Sequence, residues 1–295
     1  MGTHNQKPID QMDGYIWVDG KFVPWKEANI HFLTHGLHYG SCVFEGIRAY
    51  NGKGFKLTEH NKRLLKSAKI MDIRADYSVE ELDKIVVDVL SKNNLKDAYI
   101  RPAFWLGSET MGIFSRNSKV HLAVAAWEWP SYFGDEALNK GISLCWSDWL
   151  RPHPKTEPTE AKASGLYMTS IISKNKAVDK GFDDALMKDY RGYIAESTGS
   201  NVFFIIDGEV YTPEADCFLN GITRQTVLEV AEKNGYKVHV AHLDPEDTLA
   251  RAQEVFVTGT AAEITPVGKI EDKVYTVGSV TRDLREKYLK LVKGE

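Results

Sequence analysis

Lys162 lies in the run Glu160-Ala161-Lys162-Ala163-Ser164-Gly165-Leu166-Tyr167, and three later segments carry groups suited to work with it. They are Ala195-Glu196-Ser197-Thr198-Gly199-Ser200-Asn201, Gly221-Ile222-Thr223-Arg224 and Thr258-Gly259-Thr260-Ala261-Ala262-Glu263. A solvated lysine is protonated and not nucleophilic, so an imine-forming lysine needs desolvation or nearby positive charge to lower its pKa. The small neighbours Ala161, Ala163, Ser164 and Gly165 would let a planar molecule lie close to the backbone. A lysine for an aldehyde, an acid for a ring nitrogen and Gly/Thr-rich turns for a phosphate are the partners that pyridoxal phosphate (PLP) requires.

Glu196 follows the strand-like Gly192-Tyr193-Ile194-Ala195 and precedes a turn, so by itself it also reads as an exposed strand-end glutamate. As a partner of PLP its carboxylate would keep the pyridine nitrogen protonated and make the ring an electron sink. Gly221-Ile222-Thr223 opens an amphipathic run from Thr223 to Asn234, and a helix N-terminus with free amides and a hydroxyl is a natural phosphate seat. A simple Thr N-cap explains the same residues. Thr258 to Ala262 ends a strand and offers further hydroxyl and backbone donors.

The elements that must position these groups come from periodicity. Tyr15 to Val23 reads as a hairpin about Asp19-Gly20, and His38 to Tyr50 as another strand pair. Helices are predicted from Glu59 to about Ile73 and from Ser78 to Asn93, the second opening with the Ser78/Glu81 spacing of a capping box. Strands follow at Ala98 to Leu106 and Val120 to Trp127. Looser sequence from about Pro130 to Leu138 marks a boundary, giving domains 1–133 and 134–295.

Beyond it are a strand at Ile142 to Trp146, a proline-rich loop from Arg151 to Pro158 and a helix from about Gly165 to Lys180. A hairpin from Asn201 to Tyr211 about Asp207-Gly208, a strand at Glu254 to Val257 and a helix from Ser279 to Val292 complete the chain. Strands and helices mix without a strict βαβ repeat, so the class is mixed, α+β as readily as α/β.

The 43% apolar and 26% charged content over 295 residues is that of a globular chain, which excludes disordered and collagen-like classes. A net charge of −4 with scattered Lys and Arg gives no field for nucleic acid. Cys42, Cys145 and Cys217 are too few and too far apart for a disulfide framework, which fits a reducing compartment. The opening residues lack the apolar core of a signal peptide, and no apolar run approaches the roughly 20 residues of a membrane span. A cytoplasmic protein without membrane partners is expected. His31, His35 and His38 imitate a helical metal cluster, but Gly36 and Tyr39-Gly40 argue against a long helix and no clustered carboxylates accompany them, so no metal is expected.

From about Trp17 to Val280 the chain resembles the branched-chain amino acid aminotransferases, members of the D-amino acid aminotransferase-like group of PLP enzymes with fold type IV. The resemblance is carried by His38-Tyr39-Gly40 through Phe44-Glu45-Gly46-Ile47-Arg48, by Tyr99-Ile100-Arg101-Pro102, and by Lys162 to Tyr167. Glu196 to Asn201, Gly221 to Arg224 and Gly259 to Val267 add to it. It implies a two-domain fold with the active site in the cleft between domains, and a transaminase exchanging the amino group between leucine, isoleucine or valine and 2-oxoglutarate.

Position by position, it implies that Lys162 forms a Schiff base with PLP and then carries the Cα proton as general acid and base. Glu196 would pair with the pyridine nitrogen and Tyr167 with the phenolic oxygen; Arg63, Ile222, Thr223 and Thr260 would hold the phosphate. Tyr39, Phe44, Gly46, Trp129 and Tyr132 would line the side-chain pocket, with Met111 and Ile113 reaching in from a neighbouring subunit of a homodimer or higher homo-oligomer. Arg101, helped by Tyr39 and Tyr99, would meet the side-chain carboxylate of glutamate, and the amides of Ala261 and Ala262 the substrate's α-carboxylate.

The chain departs from many relatives at Leu166, where they carry Asn, and at Ser200, where they carry an acid. Alternatives with the same cofactor half are a D-amino acid or (R)-amine transaminase, an aminodeoxychorismate-type lyase and a non-catalytic PLP-binding module. Tyr99-Ile100-Arg101 and Glu263 to Val267 favour the branched-chain reading.

Overall fold

Asp19 and Gly20 both adopt positive φ, 45° and 92°, as a tight hairpin turn demands, and β1 (Tyr15–Val18) pairs with β2 (Lys21–Pro24) as expected. The structure is a computed structural model that describes residues 7–129 and 135–295; Tyr132 lies outside the described residues. The chain divides into two units, an N-terminal one of residues 7–129 with Ala161–Tyr167 and a C-terminal one of residues 135–160 and 168–295. A single cut at 133/134 would give Lys162 to the C-terminal unit. Burial decides otherwise: Ala161 and Ala163 are 2% and 1% exposed in the N-terminal core, and Ala163 bridges Val43.

The N-terminal unit continues with α1 (His35–Tyr39), β3 (Cys42–Phe44), β4 (Ile47–Tyr50), β5 (Lys53–Gly54), α2 (Leu57–Ile70) and α3 (Val79–Lys92). β6 (Ala98–Leu106) and β7 (Val120–Glu128) complete its antiparallel sheet, ordered β2-β1-β7-β6-β4-β5, with β3 also on β6. The expected strand pair over His38 to Tyr50 is corrected here. Its start is helical, ended by Gly40 at φ 67°, and β3 and β4 do not pair with each other. They run one after the other along β6, Phe44 opposite Ala103 and Ile47 opposite Ile100. The two-residue break leaves the Glu45 side chain fully buried.

α3 buries Leu82, Ile85, Val86, Val89 and Leu90, the i, i+3, i+4, i+7, i+8 stripe of a helix lying on a core. Its first turn is held by the capping box: Ser78 Oγ accepts from Glu81 N–H at 3.1 Å, and Glu81 Oε2 accepts from Ser78 N–H at 2.7 Å. Ser78→Ala is expected to cost about 1 kcal/mol of stability. Urea unfolding measures it, and an unchanged midpoint would remove the cap from the account.

The C-terminal unit contains α4 (Asp135–Lys140), β8 (Ile142–Trp146), α5 (Met168–Asp179), β9 (Asp184–Lys188), β10 (Ile194–Ser197), β11 (Asn201–Ile206) and β12 (Glu209–Pro213). α6 (Ile222–Lys233), β13 (Val238–Ala241), α7 (Pro245–Arg251), β14 (Glu254–Gly259), β15 (Glu263–Ile270), β16 (Lys273–Val274) and α8 (Ser279–Lys293) follow. The sheet runs β10-β9-β8-β15-β14-β11-β12-β13, with β16 on β15. β8 is parallel to β9 and β15, and β12 to β13; the other pairings are antiparallel, so the mixed class stands.

Every residue of β11 is buried, as in a strand covered on both faces. The helix expected from Gly165 begins instead as a 3₁₀ turn, Ser164–Tyr167, in the N-terminal unit, before α5. α8 has no cap from Gly278; the Glu254 carboxylate accepts from Val280 N–H (3.2 Å) and Thr281 N–H (2.8 Å), placing an anion at the positive end. Among the described residues no helix is long and apolar enough to cross a membrane.

Candidate active site

Lys162 is fixed by its backbone while its side chain stays reachable. Its N–H donates to Ser67 Oγ in α2 (3.0 Å), and its carbonyl accepts from Phe44 N–H in β3 (3.1 Å). Ala161 and Ala163, on either side of Lys162, are buried in the N-terminal core. Its Nζ donates to the Tyr167 hydroxyl at 2.7 Å and lies 5.1 Å from the Phe44 ring centre and 5.4 Å from that of Tyr167. The amine thus sits beside a phenol and two aromatic faces.

From this lysine a contiguous row of expected residues runs through the N-terminal unit. Phe44 packs on Tyr167 (ring centres 5.1 Å apart), the Arg101 guanidinium lies 4.6 Å above Phe44, and Arg101 donates to Tyr99 Oη at 3.1 Å. Trp129 packs 4.8 Å from Tyr99. A Cβ at Gly46 would stand 2.0 Å from Tyr99 Oη, so only glycine fits beneath that hydroxyl. Tyr39 is set apart, 44% exposed with its ring on His35. Leu166, at the first departure, packs against the N-terminal core.

Arg63 is held by a partner that its sequence neighbourhood does not advertise. Glu45 receives Nε at 2.6 Å and Nη2 at 2.9 Å, a two-pronged grip, while His60 Nδ1 lies 2.7 Å from Glu45 Oε2. Burial alone would push the Glu45 carboxyl up, but Arg63 and then His60 outweigh it and hold the group far below its ordinary range. Burial is the main effect on His60 and lowers it, against the pull of Glu45. Both groups bind protons less readily folded than unfolded, so both lose stabilising free energy as pH falls: His60 from its ordinary 6.5 downward, Glu45 from 4.5 downward. The melting temperature is therefore expected to drop between pH 7 and pH 5, less steeply in His60→Gln. Parallel profiles would exclude His60 as the source.

In the C-terminal unit Glu196 lies within β10 and is 8% exposed, which corrects its expected place after the strand. Arg151 Nε lies 3.0 Å from Glu196 Oε1 as an ion pair without an aligned N–H, and Asn201 Nδ2 donates to Oε2 at 3.0 Å. Arg151 is itself fixed by the carbonyls of Ser197 and Thr198, each at 3.3 Å. α6 begins at Ile222, with Gly221 as N-cap and no side-chain cap, so Thr223 is inside the first turn rather than the cap. The first-turn amides are donors without intrahelical acceptors.

Gly259 pairs with Glu263, leaving Thr260, Ala261 and Ala262 at the tip of the β14–β15 hairpin. Ser200, the second departure, adjoins Gly259; its Oγ would stand 3.0 Å from a Cβ there. Thr258 Oγ1 is buried without a partner.

Glu45, His60, Ser67, Arg151, Asn201 and Thr258 are contributors whose roles the sequence reading did not assign. His60, Arg63 and Ser67 fall at i, i+3 and i+7 on one face of α2, a signal that was present. Arg151 has no local signal, being 45 residues from Glu196 by number. His31, His35 and His38 do not converge on an ion: His35 Nδ1 lies 2.6 Å from Ser41 Oγ and its Nε2 2.9 Å from the Gly112 carbonyl, and His38 faces the Phe32 carbonyl. Asp189, Asp216 and Cys217 lie close together, but Arg191 donates to both carboxylates (2.7 and 2.8 Å).

The family model of the class IV amino-transferases matches residues 42–270, which span all of these groups except Tyr39 and the three histidines. The chain belongs to the class IV aminotransferases. This class IV aminotransferase is 43% identical over 290 residues to the branched-chain-amino-acid aminotransferase of Pseudomonas aeruginosa, covering 96% of this chain and 94% of that relative. Among solved structures it matches the T.th. branched-chain amino acid aminotransferase with pyridoxamine 5′-phosphate, with a TM-score of 0.92 and 42% identity over 96% of this chain and 95% of that one. The same T.th. enzyme complexed with N-(5′-phosphopyridoxyl)-L-glutamate matches with a TM-score of 0.90 and 41% identity over the same shares. The fold is thus fold type IV.

Proposed function

We propose that this class IV aminotransferase binds PLP and exchanges amino groups between branched-chain L-amino acids and 2-oxoglutarate. The observation that carries the reading is Lys162 Nζ held at 2.7 Å from Tyr167 Oη on a backbone pinned to Ser67 and Phe44. The residues present fit the cofactor. A buried acid between a cation and an amide donor suits a ring nitrogen, an uncapped helix start suits a phosphate, and the orphaned hydroxyl of Thr258 lacks a partner.

When bound, the cofactor supplies an aldehyde that condenses with primary amines and a pyridinium ring that takes up the electron pair left at the substrate's Cα. Lys162 would hold that aldehyde and would move the Cα proton as general base and acid. Tyr167 accepts from Lys162 and would hydrogen-bond the phenolic oxygen. Glu196 would keep a proton at the ring nitrogen. Ile222, Thr223, Thr260 and Arg63 would hold the phosphate, and the amides of Ala261 and Ala262 would receive the substrate's α-carboxylate. The donor would leave as its 2-oxo acid, water supplying the carbonyl oxygen, and 2-oxoglutarate would take up the amino group to give glutamate.

Phe44, Tyr99 and Trp129 give apolar walls suited to branched aliphatic side chains. Arg101 beside Tyr99 provides for the side-chain carboxylate of glutamate, which bare apolar walls would reject. The names of the Pseudomonas aeruginosa and T.th. proteins support this substrate class. The deciding assay supplies leucine, D-alanine or an aromatic amine, each with and without 2-oxoglutarate. Turnover of leucine only with the acceptor is expected; preference for D-alanine, or product without acceptor, would replace the proposal.

Ile113, Phe114 and Phe32 are 85%, 71% and 72% exposed, with Ile30, Leu37 and Met111 beside them in sequence, and His35 links the two segments through Gly112. So much apolar surface marks an interface, and we assign it to a second copy of this chain. Ile113→Glu with Phe114→Glu is expected to shift the sedimentation coefficient toward a monomer; an unchanged oligomer would reject this surface.

A further inference from the structure

We propose that Asn201 is a positioning residue that ties the Glu196 carboxylate to the start of α6, so that the partner of the ring nitrogen and the seat of the phosphate keep one fixed separation. The inference rests on the proposed roles of Glu196 and of Gly221 to Thr223. Glu196, Asn201 and Thr258 are directly paired across β10, β11 and β14, so their side chains emerge on one face of the sheet in a row. Asn201, 5% exposed, stands in the middle.

Its side chain is spent in two directions. Nδ2 donates to Glu196 Oε2 (3.0 Å) and to the Leu219 carbonyl (3.1 Å), while Oδ1 accepts from Gly221 N–H (3.2 Å). A carbonyl on one side and an N–H on the other leave a single sensible orientation of the amide. Because the amide is planar and rigid, its two ends cannot move independently. With Arg151 on Oε1 and Asn201 on Oε2, both oxygens of Glu196 are fixed, and Arg224 in α6 is a further cation near enough to feel its charge.

Gly221 completes the link. Its φ of −62° is open to any residue, so backbone strain does not demand glycine there. Space does: a Cβ would lie 2.3 Å from Asn201 Oδ1. A methyl group at the phosphate end must therefore push the amide that holds the carboxylate.

The experiment crosses the two ends. Wild type, Asn201→Asp and Gly221→Ala are compared as holoenzymes by two readouts: the pH midpoint of the bound cofactor's absorption band, which senses the ring, and competition of pyridoxal against bound PLP, which senses the phosphate. Gly221→Ala is expected to move the band midpoint by about one pH unit although residue 221 serves the phosphate end. Asn201→Asp, which removes both donors facing Glu196 and Leu219, is expected to reduce the preference for PLP over pyridoxal by about tenfold or more.

Variants that each move only the readout of their own end, or that lower the melting temperature with both readouts unchanged, would overturn the proposal. If Asn201→Asp fails to fold, Gly221→Ala alone decides. Glu196→Gln and Thr223→Ala serve as controls: a band midpoint indifferent to the first and a phosphate preference indifferent to the second would reject the cofactor contacts themselves, a result distinct from failure of the link.

Discussion

Lys162→Ala is expected to lower transamination by about 1,000-fold or more, because in the proposed mechanism one amine serves both as covalent anchor and as carrier of the Cα proton. The variant should fold. The backbone contacts to Ser67 and Phe44 survive, and the neighbours that fill the core are Ala161 and Ala163, not Lys162. Steady-state kinetics with leucine and 2-oxoglutarate measure the loss, and a small primary amine in the buffer should restore part of the proton transfer. Borohydride reduction followed by peptide mapping locates the covalent link: the pyridoxyl group should be on the peptide containing Lys162 and absent from the variant. A label on another lysine would end the assignment.

The second large effect is expected at Glu196. Replacing it by Gln keeps its shape and removes its charge, so the ring nitrogen loses the anionic partner proposed for it; kcat should fall by about 100- to 1,000-fold, with PLP affinity changed far less. The buried pair with Arg151 complicates the result, since removing one member of a buried ion pair leaves the other uncompensated. Arg151 keeps the carbonyls of Ser197 and Thr198, which limits that penalty. Thermal unfolding separates the two effects, and Glu196→Asp should recover part of kcat. A Gln variant with wild-type kcat would show that Glu196 does not act on the ring.

Much of the candidate site could be proposed from the sequence because chemistry and local structure coincide in short segments. Lys162 with its small neighbours, and Gly221-Ile222-Thr223 at a helix start, are local patterns. The capping box at Ser78/Glu81 and the Asp19-Gly20 and Asp207-Gly208 turns were equally readable, since each depends on residues only one to three apart. α7 was missed although Asp244 and Pro245 give it an ordinary N-terminal signature, with Asp244 accepting from Glu246 and Asp247 N–H. The pairing of β3 and β4 was misread because an apolar run shows that strands exist and not which strand they meet.

The sequence by itself determined the candidate residues of the site, the Ser78 helix cap and the Asp-Gly turns, and the family to which the chain belongs. The tertiary structure alone decided that the Lys162 segment joins the N-terminal core, that Glu45 grips Arg63 while also holding His60, and that Arg151 and Asn201 fix Glu196. Those contacts join residues from 5 to 95 positions apart. The physical reason is that periodicity and capping act over a few residues, whereas burial, ion pairing and cross-strand register depend on which distant surfaces the collapsed chain brings together.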